Sequence, residues 1–114
     1  MGGINGKIGE IKTEEIQIFD EIHPPVILTI PLKQGDVLEA GSIIASKDGE
    51  NVLYDPSDDT QEIIGVLLNR VDTNRQQIGN VLVHGVVVKR FLRANGEIND
   101  NVIKALNNKT IWTI

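Results

Sequence analysis

Two histidines, three clustered aspartates, three serines in turns and one lysine beside an Asp-Gly pair are the residues of this 114-residue chain whose types suit chemistry. Catalysis near neutral pH needs an acid, a base or a nucleophile held in place by partners, and histidine is the most versatile of these. His23 precedes Pro24 near the end of a glycine-rich stretch, and His84 sits inside the apolar run Val81–Val88 beside Gly85. An imidazole in such a run is expected to be structural or edge-facing rather than a general base. Asp55, Asp58 and Asp59 offer oxygen ligands to a hard cation, but they lack the ligand spacing and trailing glutamate of a calcium loop, so a solvated loop is expected. Ser42, Ser46 and Ser57 fall in turns without the strand-to-helix elbow that exposes a nucleophile. Gly35, Gly41 and Gly49 are not followed by Gly-Lys-Ser or Gly-Lys-Thr and read as turn residues rather than a phosphate cradle. Cysteine is absent, which excludes disulfides, thiolate metal sites and thiol nucleophiles. No catalytic, cofactor-binding or metal-binding set is expected, nor a small-molecule substrate, and the chain is not expected to be an enzyme.

Charge and hydropathy narrow the partners. With 16 acidic and 11 basic residues the net charge is −5, which repels phosphate backbones and removes the counterion-release term of nucleic-acid binding. No stretch approaches the roughly 20 apolar residues that span a bilayer. The start lacks the basic and apolar regions of a signal peptide, and Gly6 stands where a myristoylation signal requires Ser or Thr. Neither nucleic acid nor membrane is an expected partner. Tyr54 and Trp112 suit an interface anchor or a core position equally well.

The elements that would carry these residues are short strands. Apolar residues make up 40% of the chain and aromatics 4%, so the core must be built from Val, Ile and Leu, which favours strands. Residues 1–25 read as an arm in which Glu14-Glu15-Ile16-Gln17-Ile18 alternates as a strand does, while Gly2, Gly3, Gly6 and Gly9 make ordering costly. Such a segment is suited to adding onto a partner's sheet edge. Residues 26–114 read as one domain. Its strands are expected at Val26–Ile30, Ile43–Ala45, Val52–Tyr54, Ile63–Leu68 and Val81–Val88, with a turn at residues 31–36 and a tight hairpin at Asp48-Gly49. Residues 55–60 are expected to loop over the surface, and Gly65 to mark a bulge or a close backbone approach. Asn99 is placed to cap a short amphipathic helix carrying Val102, Ile103 and Leu106, which Asn107-Asn108 ends in a left-handed conformation. Residues 110–114 have the composition of a closing strand. The expected class is α+β and mostly β: a small barrel- or sandwich-like core with one short C-terminal helix and an extended N-terminal arm.

Two resemblances bear on function. The stretch Pro31 to Ile44, with Gly35-Asp36-Val37 and Gly41, resembles the entry of lipoyl-like barrel-sandwich carriers, which present a modifiable lysine at a hairpin tip. The turn Lys47-Asp48-Gly49 lacks the residues that flank that lysine, and a carrier or binding module stands as the alternative. The ordered series Ala40-Gly41-Ser42-Ile43-Ile44-Ala45, Val52-Leu53-Tyr54-Asp55-Pro56, Ile64-Gly65-Val66-Leu67 and Val83-His84-Gly85-Val86-Val87, closed by a helix and a strand, resembles the lambda-type bacteriophage head decoration proteins. The resemblance covers about Leu38 to Ile114. It implies a capsid-stabilising protein that forms homotrimers at threefold and quasi-threefold positions on the outside of the expanded head, present in the host cytoplasm before assembly. It also implies an arm that contacts the major capsid protein, and Ile11, Glu14, Ile16, Ile18 and Phe19 are the arm residues assigned to that contact.

Overall fold

The computed structural model describes residues 10–12, 17–19 and 24–114. Among these residues, ten strands and one α-helix follow in the order β1 (Glu10–Lys12), β2 (Gln17–Phe19), β3 (Val26–Pro31), β4 (Val37–Leu38), β5 (Ile43–Lys47), β6 (Glu50–Leu53), β7 (Glu62–Leu67), β8 (Val71–Asp72), β9 (Ile78–Val87), α1 (Asp100–Asn108) and β10 (Ile111–Thr113). The ten-residue β9 is the spine. Its first part pairs antiparallel with β3 on one edge and β7 on the other, and its last part pairs with β2 and, in parallel, with β10. β7 passes the sheet on to β5, and β5 to β6.

The central strands bury both faces. Ile43, Val66 and Leu82 belong to one apolar cluster with Val102, Leu106 and Ile111, whereas their neighbours Ile44, Leu67 and Val81 belong to a second with Leu32, Leu38 and Val71. The first cluster is covered by α1 and β10, the second by the loop after β3 and the small β4–β8 ribbon. A strand buried on both faces reads as a continuous apolar run rather than an alternation, which is why these segments stand out in the sequence.

The structure is mostly β with one short helix, as expected, but the barrel does not close. β3 and β6, the strands that would have to meet, form no ladder among the described residues and are linked at one end only: Asn51 Nδ2 donates to Pro31 O at 2.8 Å, and just after β3 Lys33 N–H donates to Asn51 O at 2.9 Å while its amine lies 3.7 Å from Glu50. Beyond this contact the two strands part around a cavity of about 380 Å³ between Pro31–Gln34 and Gly49–Asn51.

Local chemistry explains the turns. Asp48 (φ 52°) and Gly49 (φ 81°) both occupy the left-handed region that a two-residue hairpin between β5 and β6 requires. At Gly65 the register of β5 against β7 shifts, and a Cβ there would stand 2.1 Å from Leu82 O, so the close approach expected from the sequence is present. Asn99 caps α1, its Oδ1 accepting from the N–H of Asn101 and Val102 at 3.1 and 3.2 Å. The end of that helix differs from expectation. Neither Asn107 nor Asn108 is left-handed; both remain in α1, and the reversal falls on Thr110 at φ 64°, after Lys109 N–H has closed the last turn on Leu106 O.

The arm also differs in its described part. β1 and β2 form an antiparallel pair with Ile11 opposite Ile18, and Ile18 stands opposite Val87 of β9. This portion is hydrogen-bonded to the domain instead of extending away from it. Its backbone finds partners on the spine's end, which satisfies N–H and C=O groups that a free extension would leave to water.

Candidate functional site

Most of the residues with chemical potential that the structure describes are engaged structurally. His84 meets Trp112 edge to face with ring centroids 5.4 Å apart. Ser42 is buried and its Oγ donates to Glu39 O at 2.6 Å. Asp55 Oδ1 accepts from both N–H and Oγ of Ser57, and these bonds hold its carboxyl below the usual range. Asp58 accepts from Lys47 Nζ at 2.6 Å through one oxygen and from Thr60 through the other, which lowers its pKa to about 2. The loop therefore spends two of its three carboxylates, Asp55 and Asp58, on its own turns and on Lys47. Among the described residues no group of three or more His, Cys, Asp or Glu side chains is placed to hold a metal ion. His23 lies outside the described residues.

Lys47 itself sits at the base of the hairpin, before the two tip residues Asp48 and Gly49, and its amine is tied to Asp58, which raises its pKa. A carrier lysine needs a free amine projecting from the tip. Tyr54 packs against the first apolar cluster and Trp112 is half-buried in β10, so neither stands out as an anchor.

The most unusual surface is β3. Val26, Ile27 and Leu28 are 45%, 37% and 49% exposed, in a strand whose partner residues Leu82 and Val81 are fully buried. Leu32 N–H donates to Gln77 O at 2.8 Å, and Leu28 and Ile30 stand two and one ladder steps earlier, opposite Val81 and Gly79. The alternation of an antiparallel ladder then turns the backbone groups of Leu28 and Ile30 toward β9, and those of Ile27, Thr29 and Pro31 away from it. Pro31 O is taken by Asn51; Ile27 and Thr29 present N–H and C=O outward, and no described strand pairs with that side. An apolar strand with an open edge is a template for another strand, and natural proteins usually blunt such edges with charge, bulges or cover.

Sequence reasoning placed Val26–Ile30 as a strand but not as an edge, because edge position depends on which strands pair, and that is set by β9 some 50 residues later. Of the five arm residues assigned to partner contact, Ile11 lies in β1 and Ile18 and Phe19 in β2, which the structure brings beside one another at the end of β9. Glu14 and Ile16 lie outside the described residues. No protein-family model matches the chain, and no curated protein matches it.

Proposed function

We propose that this chain is a capsid-decorating protein: it attaches to the outside of an expanded phage head through strand addition at the N-terminal side of its sheet, and performs no chemistry. The observation that carries the reading is the β3 edge, where three exposed apolar side chains flank outward N–H and C=O groups at Ile27 and Thr29. Main-chain bonds give such a contact its affinity, and the side chains alternating beside it give specificity. The ordered motifs from Leu38 to Ile114 that resemble head decoration proteins supply the identity of the partner, the major capsid protein.

The mechanism follows from mechanics. Packaged DNA pushes the shell outward, and a bridging protein adds contacts that must break before neighbouring subunits part. Three copies assembled as a homotrimer bind together, since once one is attached the others face a high effective concentration. Selective binding to the expanded lattice follows if the three contact sites align only there.

The test is cosedimentation of the purified chain with expanded and unexpanded empty heads. Binding to the expanded form, lost on removal of residues 1–22 together with an Ile27→Lys change, supports the reading. Undiminished binding by that variant contradicts attachment at this side of the sheet.

A further inference from the structure

The segment between β9 and α1 holds a pair of residues whose own chemistry attachment to a capsid does not use. Asparagine followed by glycine can rearrange without an enzyme. The backbone nitrogen of the second residue reaches the side-chain carbonyl of the first, and glycine brings no Cβ to crowd that approach. Asn95-Gly96 is one of two such pairs in the sequence; the other, Asn5-Gly6, lies outside the described residues.

The fold leaves Asn95-Gly96 open to this reaction. Both residues are exposed, in a bend outside any strand or helix. Asn95 N–H donates to Tyr54 O at 2.8 Å, which anchors the main chain of the residue but not its side chain. The Gly96 N–H and the Asn95 carboxamide are bonded to no described residue. Gly96 sits at φ 145°, and a Cβ there would stand 3.1 Å from Pro56 Cδ, so the backbone itself calls for glycine at this position. The other described asparagines each lack part of this setting. Asn51, Asn80 and Asn99 have their side chains hydrogen-bonded. Asn74 precedes an Arg75 N–H that donates to Asp72 O, and the asparagines of α1 precede N–H groups held by the helix and its last turn. Asn69 is exposed but precedes Arg70, whose side chain crowds the attacking nitrogen.

We infer that Asn95 is a site of spontaneous deamidation to aspartate and isoaspartate. The Gly96 nitrogen attacks Cγ of Asn95, and the new C–N bond closes a succinimide. The bond from Cγ to the side-chain nitrogen breaks; the proton shed by Gly96 passes through solvent to that nitrogen, which leaves as ammonia. Water then opens the ring. Opening at Cγ restores the main chain with an aspartate, whereas opening at the main-chain carbonyl leaves Gly96 joined through Cγ as an isoaspartyl link. Either product replaces a neutral carboxamide by a carboxylate and moves the net charge from −5 to −6. The isoaspartyl form also adds a methylene to the main chain between the bond to Tyr54 O and the Asn99 cap of α1. This chemistry belongs to the chain itself and is independent of what the chain attaches to.

The test is incubation of the full folded chain in buffers of increasing, mildly alkaline pH, with peptide mapping and fragmentation by mass spectrometry over time. Position 95 is expected to gain the mass of O in place of NH, and to do so faster than position 69. The rate is expected to rise with pH, because the attacking nitrogen must lose its proton. Both aspartyl and isoaspartyl products are expected, distinguished by electron-transfer fragmentation. An Asn95→Gln chain is expected to stay unchanged at this position over the same period, since the longer side chain closes a less accessible ring. Conversion of Asn95 no faster than that of Asn69 overturns the inference. An intact Asn95 beside a converted Asn5 also overturns it, because the folded setting then protects the pair. Conversion to aspartate alone overturns it as well, since that is direct hydrolysis without the ring.

Discussion

Thr73 is fully buried and holds two distant loops with one oxygen. Its Oγ1 accepts from the N–H of Gly35 and Asp36 at 3.0 and 2.9 Å and donates to Asp36 O at 2.6 Å. Replacing it by valine, which keeps the shape but loses all three bonds, is expected to cost about 1–3 kcal/mol; an unchanged urea midpoint contradicts this. In the sequence Asp72-Thr73-Asn74 reads only as a turn, since the partners of Thr73 lie 37 and 38 residues away and leave no local trace. Asp58 poses the opposite case, a partly exposed loop residue with a clear signature. Its bonds to Lys47 and Thr60 bring its pKa from the ordinary 3.8 to about 2. A lowered carboxyl pKa stabilises the fold fully above the unfolded value, and the contribution is lost as pH falls from about 4 through about 2. The pair lies at the surface, so the effect on stability is small, but it is visible by NMR: Lys47→Ala is expected to move the Asp58 titration midpoint up toward 3.8. An unmoved midpoint contradicts the assigned cause.

At the level of elements, the strands around β9 were legible because largely buried runs such as Ile63–Leu68 and Val81–Val88 are built of Val, Ile and Leu, broken only by Gly65 and by His84-Gly85. Gly65 was legible because no side chain fits there, and Gly65→Ala is expected to destabilise by about 2 kcal/mol or more, measured by thermal or urea unfolding, since backbone at Leu82 cannot give way. A loss under about 0.5 kcal/mol contradicts the close approach. The helix start was equally plain: Asn99→Ala is expected to cost about 1 kcal/mol through the lost cap. Its end was not. An Asn-Asn pair favours a left-handed stop on local grounds, but Ile111 must enter the core fully buried beside Gly85, and that demand moves the reversal to Thr110. The two-residue strands β4 and β8 were invisible, as two residues carry no period, and the parallel pairing of β10 depends on how α1 carries the chain back along the sheet. The openness of the sheet was also hidden, because composition reports strands and not whether the outer two meet.

For the whole molecule, the account joins an acidic, cysteine-free domain with two modest apolar clusters to one exposed apolar edge on the side of the arm. Its cores hold the shape, and in the proposed function the edge is where a second protein adds. An Ile27→Lys change puts charge on that edge without disturbing a buried residue, so unfolding stability is expected to stay within about 0.5 kcal/mol. Attachment to heads is expected to fall. The proposed partner requires many copies on a lattice, whereas a carrier or an isolated binding module does not. The most direct measurement is therefore the ratio of copies of this chain to copies of the major capsid protein in purified particles, by quantitative mass spectrometry. A ratio near one is predicted, since trimers at threefold and quasi-threefold positions match the lattice subunit for subunit. Absence of the chain from intact particles contradicts the decoration role.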